Sequence, residues 1–328
     1  MRAVVVDHPG DADVLRVEQV PDRVTRAGEI LIRVAAAGVN RADVLQRRGF
    51  YPPPPGASDT LGLEVSGVVE ALGDGVQGWA RGDRVMALIE GGGYAELAAA
   101  RVAQSVRVPV EVDLVEAAAV PEVFITAHDN LITRGRLQPG ETVLIHGGAG
   151  GVGTAAIQLA KRRGCRVIVT ARSDEKLRRC AELGADTGIN YATQDFVASV
   201  LDATRGHGAD VVLDVMGASY LERNIEALAH DGRIVIIAMQ GGTQADVDLS
   251  RLNRKRASVA ATHLRGRPAQ QKAEIVAAFE RDVVPGLRDR SLRPVIHRVL
   301  PLDEVQAAHW LLESGDVIGK VVLQVVAG

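Results

Sequence analysis

The feature that most constrains the fold is a glycine-rich segment near the middle of the chain, VLIHGGAGGVGTAAIQLAKRR at residues 143–163. A short β-branched strand pattern runs directly into Gly148-x-Gly150-x-x-Gly153, and an alanine-rich helical pattern follows it. Glycines at this spacing allow a tight turn, a close approach of the backbone to a pyrophosphate, and packing of the helix against the strand. The N–H groups at the start of such a helix also attract phosphates.

The segment therefore predicts a dinucleotide-binding turn. The predicted cofactor contacts within it are Gly148, Gly150, Gly151, Val152 and Gly153. A second strand pattern, Arg166–Thr170, follows at the spacing of a βαβ unit and strengthens this interpretation. An ordinary glycine-rich loop is the alternative, because the chain contains 35 glycines.

The composition indicates a globular protein with room for two domains, since the chain has 328 residues and 47% of them are hydrophobic. No run of about 18 apolar residues occurs and the N-terminus lacks a signal-peptide layout, so we expect a cytoplasmic protein without a membrane span. Cys165 and Cys180 are the only cysteines, which excludes a disulfide scaffold and a thiolate-based structural zinc site. A net charge of −3 gives no basic footprint for nucleic acid.

The chain has two parts with different residue patterns. Residues 1–122 contain β-like apolar segments separated by Gly and Pro, whereas residues 123–264 alternate strand and helix patterns, including a helix at 219–229 and a strand at 232–238. Such alternation predicts a doubly wound parallel sheet with helices on both faces. Residues 265–328 leave the alternation, and we expect them to return to the first domain. The predicted class is α/β, with a Rossmann-type domain at 123–264 and a β-rich domain formed by 1–122 and 265–328.

Two separate motifs carry a resemblance to a known family. One is Gly140-Glu141-x-x-Leu144 with the glycine turn and Gln158-x-x-Lys161, and the other is GVNRADVLQRRGFY at residues 38–51. Both resemble the quinone oxidoreductase/zeta-crystallin group of medium-chain dehydrogenases/reductases, closest to the p53-inducible quinone oxidoreductase type. The resemblance covers nearly the full length. It implies a GroES-like catalytic domain for the β-rich part and a homodimer joined along an edge of the nucleotide-binding sheet.

Zinc-dependent alcohol dehydrogenases belong to the same superfamily, and they carry Cys where Asn40 stands and His where Leu63 stands. They also have a four-cysteine lobe in the region where residues 90–94 read EGGGY. Without thiolate or imidazole ligands, these positions cannot form a tetrahedral zinc site. We therefore expect no metal, and simple alcohol oxidation is disfavoured because the Lewis acid that polarises the carbonyl is missing.

The residues after the second strand of this fold discriminate between cofactors, because an acidic side chain there favours NAD and a basic one favours NADP. Residues 170–176 read TARSDEK, in which Arg172, Ser173 and Lys176 can bind a 2′-phosphate. The resemblance adds Tyr191 to Lys176 as a phosphate contact. The prediction is NADPH, with NADH as the less favoured alternative. Ser173 can also act simply as a helix N-cap.

The resemblance implies hydride transfer to a quinone or a similar electron-poor conjugated carbonyl, without zinc or flavin. Tyr51 is either a hydrogen-bond donor to the acceptor or an aromatic wall. Asn40 and Asp43 are the other predicted catalytic residues, although Asp43 can instead pair with Arg47 if the segment is helical. Further predicted cofactor contacts, at strand ends and in the cleft of relatives, are Thr126, Met216, Gly217, Met239, Gln240, Gly241, Leu264 and Arg265.

Two alternatives remain at this point. Enoyl or 2-alkenal reductases use the same cofactor geometry, so the sequence scarcely separates them from quinone reductases. Zeta-crystallins suggest a binding or structural role that includes RNA contact. The basic cluster at residues 253–256 reads NRKR, but we interpret it as a solvated turn and expect a small-molecule substrate and no nucleic-acid partner.

Overall fold

Residues 1–325 are described in the computed structural model, which divides the chain into two units. Unit 1 comprises Met1–Ile125 and Arg265–Gly328, and unit 2 comprises Thr126–Leu264. The last three residues of the predicted β-rich domain, 326–328, lie outside the described part.

The regular elements follow the chain in a fixed order. The strands are β1 (Arg2–Val6), β2 (Leu15–Gln19), β3 (Glu29–Val39), β4 (Glu64–Leu72), β5 (Arg84–Leu88), β6 (Leu97–Arg101), β7 (Ser105–Arg107), β8 (Thr142–His146), β9 (Arg166–Ala171), β10 (Thr187–Asn190), β11 (Ala209–Asp214), β12 (Leu228–Ile236), β13 (Ser258–Ala261), β14 (Ile296–Pro301) and β15 (Lys320–Gln324). The α-helices are α1 (Arg41–Arg47), α2 (Leu114–Ala117), α3 (Pro121–His128), α4 (Gly151–Arg162), α5 (Asp174–Glu182), α6 (Phe196–Ala203), α7 (Leu221–Ala227), α8 (Leu249–Lys255), α9 (Ala269–Asp282), α10 (Val284–Arg288) and α11 (Val305–Ser314).

Unit 2 is built on a six-stranded parallel sheet with the order β10-β9-β8-β11-β12-β13. Counted within the unit, this order is 3-2-1-4-5-6, which is that of a Rossmann-type domain. Its central strands β8, β9 and β11 are buried along almost their whole length, and Leu144, Ile168 and Val212 pack in one core with Phe196. The predicted α/β class is confirmed.

Unit 1 is mainly antiparallel. Strands β15, β3, β4, β5 and β7 pair in this order, β6 also pairs with β3, and β14 adds to β15 in parallel. The C-terminal segment thus contributes two strands, β14 and β15, to one side of this sheet. Its core includes Ile30, Val65, Tyr94 and Leu323, all with essentially no exposed surface.

One segment of unit 2 differs from the sequence prediction. The helix expected at 219–229 ends at Ala227, and the strand expected to begin at Gly232 begins at Leu228. Asp231 has a left-handed backbone conformation (φ 61°), and the register against β11 shifts at this point. Because Asp-Gly is a turn signal, the sequence pattern hides a strand that continues through the bulge.

Candidate functional site

The predicted cofactor contacts of unit 2 follow the carboxyl ends of its parallel strands. The glycine turn follows β8, Arg172 and Ser173 follow β9, and Tyr191 follows β10. The segments after β11 and β12 hold the next members of the set, which are Met216, Gly217, Met239, Gln240 and Gly241. The strands are parallel, so all these segments lie along one edge of the sheet, where ligands bind in such folds.

The glycine turn has the steric properties that a dinucleotide cradle requires. A Cβ on Gly148 would lie 2.7 Å from Cβ of Val169, and a Cβ on Gly153 would lie 2.6 Å from the carbonyl oxygen of Gly148. Gly150 differs, because the nearest atom to its Cβ would be the Gly147 oxygen at 3.4 Å. Gly148 and Gly153 are therefore required by the fold, whereas the open side of Gly150 leaves room for a phosphate to approach.

The segment after β9 combines a helix cap with uncommitted positive charge. The hydroxyl of Ser173 caps α5 by accepting a hydrogen bond from the Lys176 amide at 3.4 Å. The Asp174 carboxylate accepts a hydrogen bond of 2.9 Å from the side-chain amide of Asn190. Arg172 is exposed and makes no ion pair with the described residues. A cap and a phosphate contact are thus compatible in this loop.

The loop after β11 is held by a buried carboxylate. Asp214 accepts hydrogen bonds from the amides of Met216 (2.7 Å) and Gly217 (3.0 Å), and burial raises the pKa of Asp214 to about 6. Gly217 has φ 71°, a conformation that favours glycine. Gly241 packs so closely on Ser219 that a Cβ would collide with its hydroxyl. This loop and the one after β12 therefore have fixed backbone shapes.

Three predicted contacts lie at the points where the chain passes from one unit to the other. Thr126 is a half-buried residue of α3 at the start of unit 2, and its carbonyl oxygen accepts a hydrogen bond of 2.8 Å from Asn130. Leu264 is buried at the end of unit 2, and Arg265 begins the second segment of unit 1.

Unit 1 contains a buried polar cluster around Asn40. The Asn40 side-chain amide donates to Glu64 Oε1 at 3.0 Å, and its oxygen accepts from Lys320 Nζ. Lys320 also lies 2.7 Å from Glu64 Oε1. Lys320 and Glu64 have side-chain exposures of only 4% and 0%. The Asn40 amide is therefore committed to holding a buried ion pair.

Asp43 is the centre of a second buried cluster. Its carboxylate accepts hydrogen bonds from the backbone N–H groups of Asn40 (2.8 Å) and Gly62 (3.1 Å) and from the Tyr94 hydroxyl (2.9 Å). Burial raises the pKa of Asp43 to about 6, and these hydrogen bonds oppose the shift. The first of these bonds forms a capping box at the start of α1.

The helical pair between Asp43 and Arg47, which the sequence leaves open, does not form although α1 is helical. Arg47 has no exposed surface, and its guanidinium makes two hydrogen bonds of 2.9 and 3.0 Å to the Glu313 carboxylate of α11. Long-range partners hold both side chains, so the i,i+4 spacing has no role here.

Tyr51 and Arg265 form a contact pair in unit 1. The Arg265 guanidinium lies 5.4 Å from the centre of the Tyr51 ring, and it donates to the carbonyl oxygens of Tyr51 (3.4 Å) and Glu90 (2.6 and 2.9 Å). Arg265 is 6% exposed. Lys272 donates to the Arg265 carbonyl oxygen at 3.0 Å and forms an ion pair with Glu90. The loop that carries Tyr51 is thus tied to the segment at residue 90.

The Tyr51 hydroxyl makes no hydrogen bond with the described residues of unit 1. Burial is the main cause that raises the pKa of Tyr51, and the nearby Glu122 carboxyl adds to it. The positive charge of Arg265 opposes the shift. The phenol therefore stays protonated at neutral pH and keeps its ability to donate a hydrogen bond.

Glu122 is a site residue that the sequence motifs do not mark. Its amide donates to Glu64 Oε2 at 2.8 Å. Burial and the nearby Glu64 charge raise the pKa of Glu122 to about 8, which leaves this carboxyl largely protonated at neutral pH. Its position directly after Pro121, in the first turn of α3, is the only sequence signal that marks the residue.

His146, at the end of β8, is held by buried contacts on both ring nitrogens. Its ring nitrogens contact Thr170 Oγ1 (3.0 Å) and Asn224 Oδ1 (2.7 Å), and burial lowers the pKa of His146 to about 4. Between about pH 6.5 and pH 4 the unfolded chain therefore binds a proton at this residue that the folded chain does not.

We expect the free energy of unfolding to fall as the pH drops through this window, by about 2 to 3 kcal/mol near pH 4.5 from His146 alone. The substitution His146→Gln should reduce this loss. Urea unfolding of the wild type and the variant, near pH 7 and about pH 4.5, measures the difference. Equal pH dependence in both proteins would contradict the assignment.

The described residues contain neither a cluster of metal ligands nor a membrane-spanning helix. Residues 1–325 contain no group of three or more His, Cys, Asp or Glu side chains that could hold a metal ion. No helix in this same part of the chain is long and apolar enough to cross a membrane.

The two domain types have counterparts among known families. Residues 26–110 match the alcohol dehydrogenase GroES-like domain, and residues 151–280 match the family described as zinc-binding dehydrogenase. A GroES-like domain combined with a Rossmann-type domain defines the medium-chain dehydrogenases/reductases. A quinone oxidoreductase from Lama guanicoe is 31% identical over 98% of this chain and 97% of its own length. The chain belongs to the quinone oxidoreductase group of this superfamily.

Solved structures agree with this assignment. A structure described as an NAD-dependent alcohol dehydrogenase is 34% identical, with a TM-score of 0.88 over 99% of this chain and 100% of that one. Escherichia coli quinone oxidoreductase complexed with NADPH is 28% identical, with a TM-score of 0.87 over 99% and 100%. The CurK enoyl reductase is 29% identical, with a TM-score of 0.87 over 98% of both chains. The protein is thus an NAD(P)H-dependent oxidoreductase of this superfamily.

Proposed function

We propose that the protein reduces quinones and similar electron-poor conjugated carbonyl compounds with NADPH, by direct hydride transfer and without zinc or flavin. The observation that carries the proposal is the chemistry of the two side chains, Asn40 and Leu63, at the positions that hold zinc ligands in alcohol dehydrogenases. The Asn40 side-chain amide is hydrogen-bonded to Lys320 and Glu64, and Leu63 is a buried apolar residue. Neither side chain has the donor chemistry that zinc requires.

The unit 2 residues at the carboxyl edge of the sheet provide the cofactor site. The N–H groups of the glycine turn and the start of α4 face the pyrophosphate, while Arg172, Ser173, Lys176 and Tyr191 bind the 2′-phosphate of the adenosine ribose. Bound NADPH supplies the hydride. The fit rests on Gly150, which has space for a phosphate, and on the absence of a carboxylate at the end of β9.

Tyr51 then acts as the hydrogen-bond donor to the acceptor carbonyl, where negative charge develops during the reduction. Its hydroxyl is uncommitted within unit 1, its pKa is raised, and Arg265 holds its ring and its backbone. Asp43 and Asn40 maintain the floor of this region through their buried hydrogen bonds.

The substitution Tyr51→Phe is expected to lower kcat/KM for a quinone by about tenfold to a hundredfold, because one donor to the developing oxyanion is lost. The Kd for NADPH should not change, since the variant keeps the ring and its contact with Arg265. Steady-state kinetics with a 1,4-naphthoquinone, together with fluorescence titration of NADPH, measure both quantities. Unchanged quinone turnover would leave Tyr51 only the role of an aromatic wall.

The experiment that tests the proposed function compares kcat/KM for NADPH and NADH with the same quinone acceptor. The proposal expects NADPH to be preferred, because Arg172 and Lys176 can neutralise a 2′-phosphate that NADH lacks. A preference for NADH would overturn the cofactor assignment while leaving the reductase class intact.

Reduction of an activated carbon–carbon double bond is the second candidate function. The likeness to the CurK enoyl reductase favours it, since that protein matches this chain over 98% of its length. The same cofactor edge and the same Tyr51 donor serve an enal, whose carbonyl oxygen also gains charge. An assay of 2-alkenals against quinones, at equal NADPH, decides between the two acceptor classes.

We further propose a homodimer joined through β13, because this edge strand is exposed at all four of its residues. Light scattering on a sizing column should then give about twice the chain mass of 34.7 kDa. The substitution Val259→Pro, which removes an N–H on the side of β13 that faces away from β12, should shift the protein toward monomer. A monomeric wild type would contradict this proposal.

A further inference from the structure

Unit 1 contains a polar cavity that the proposed reduction does not use. It is lined by residues of the loop before β3, by Pro55–Ser58, by Glu90 and Gly91, and by the end of β6 with the turn after it. Among its lining residues are Arg23, Arg26 and Arg101. Three positively charged side chains therefore surround one cavity.

The guanidinium groups of these three arginines make no ion pair and no hydrogen bond with the described residues, although ion pairs occupy many other arginines of the chain. Arg26 uses only its backbone, whose amide donates to Glu29 Oε2 at 3.0 Å. Arg101 likewise uses only its backbone, which pairs with Glu29 of β3 and accepts a hydrogen bond from Ser105. Their positive charges are therefore available to a ligand.

Gln104 supplies a second and independent observation. It lines the same cavity, it is only 2% exposed, and its side-chain Nε2 is buried without a hydrogen-bond partner. A buried amide donor without a partner is costly, and native proteins seldom contain one. An acceptor oxygen of a ligand in the cavity would give this amide the partner that the described residues do not supply.

The carboxylates at the cavity do not cancel this positive charge. Glu90 is paired with Lys272, and Glu29 is bonded to the Arg26 amide. Three guanidinium groups thus face one uncompensated carboxylate. Ser58 adds a hydroxyl that can donate to an anion. The donors outnumber what a single carboxylate could accept, which favours a phosphate group with its several acceptor oxygens.

We propose that this cavity, bounded by Arg23, Arg26, Arg101 and Gln104, is a binding site for a small molecule that carries phosphate groups. All residues that line the cavity belong to unit 1, whereas the proposed dinucleotide contacts at the glycine turn belong to unit 2. The proposed occupant is a second ligand besides the cofactor.

Calorimetric titration of inorganic pyrophosphate into protein saturated with NADPH tests the site, because the bound cofactor blocks the phosphate positions of unit 2. We expect one saturable binding event per chain. The substitutions Arg26→Gln and Arg101→Gln should each weaken it by about threefold to tenfold, and Gln104→Met should weaken it by a similar factor. Arg288→Gln, an exposed arginine of α10 outside the cavity, is the matched control and should bind as the wild type does.

Gln104→Met also removes the unpaired amide, so its thermal unfolding temperature without pyrophosphate should equal or exceed that of the wild type. This result shows that weaker binding does not come from a damaged fold. The proposal is overturned if the NADPH-saturated protein does not bind pyrophosphate, or if the arginine and Gln104 variants bind it as tightly as Arg288→Gln does.

Discussion

Replacing Lys320 by methionine is expected to lower the free energy of unfolding by about 3 to 5 kcal/mol, which is the cost of leaving a buried charge without its partner. Lys320 donates to Glu64, to Asn40 and to the Val39 carbonyl oxygen at 2.7 Å, and its side chain is 4% exposed. In the variant, the fully buried Glu64 carboxylate keeps its hydrogen bonds but loses the one cation that pairs with it among residues 1–325. Urea unfolding near pH 7 measures the effect.

Lys161→Met is the matched control for this prediction. Lys161 pairs with Asp186 at 2.9 Å, but both side chains are about one-third exposed, so we expect a loss of at most about 1 kcal/mol. The double variant Lys320→Met with Glu64→Gln should recover part of the loss, since the uncompensated carboxylate is gone. Equal effects of Lys320→Met and Lys161→Met would show that the buried pair does not stabilise unit 1 in this way.

The second large effect is expected at the glycine turn, where two alanine substitutions should have different consequences. Gly150→Ala should leave thermal unfolding unchanged, because φ at this residue is −74° and the new Cβ meets nothing closer than 3.4 Å. It should nevertheless raise the Kd for NADPH by about tenfold or more, since the methyl group would enter the space that we propose for the pyrophosphate.

Gly153→Ala should instead destabilise the fold, because its Cβ would collide with the carbonyl oxygens of Gly147 and Gly148. We expect a loss of about 1 to 3 kcal/mol, the usual cost of overpacking. Differential scanning fluorimetry with and without NADPH separates the two effects. If Gly150→Ala bound NADPH as tightly as the wild type, the turn would not hold the pyrophosphate as proposed.

The parts of the fold that the sequence predicts well depend on local signals. The glycine turn, the parallel strands around it and the Ser173 cap all arise within a few residues of chain, where sterics and hydrogen bonding act directly. The strand that begins at Leu228 is the exception, because Asp231 and Gly232 form a bulge inside it rather than a turn before it.

The buried clusters of unit 1 could not be predicted in the same way. The contact between Lys320 and Asn40 joins residues 280 positions apart, and Arg47 pairs with Glu313 across 266 positions. Spacing along α1 favours a pair between Asp43 and Arg47, but tertiary packing brings stronger partners to both residues. Glu122 carries no motif, and only the fold places its carboxyl near Glu64.

The contacts of Arg265 in unit 1 also differ from the sequence prediction, which assigns this residue to the cofactor. In unit 1 its guanidinium is bonded to the carbonyl oxygens of Glu90 and Tyr51. These contacts stabilise the Tyr51 loop, so we propose that Arg265 positions the donor. A contact with the cofactor stays a prediction.

The central claim is tested most directly by the acceptor specificity of protein that has been dialysed against a strong metal chelator. The measured quantity is the rate of NADPH oxidation with a 1,4-naphthoquinone, compared with the rate of NADP⁺ reduction by simple alcohols. The account predicts rapid oxidation of NADPH by the quinone, unchanged by chelation, and no alcohol oxidation. Alcohol oxidation that chelation abolishes, without quinone-dependent oxidation of NADPH, would contradict it.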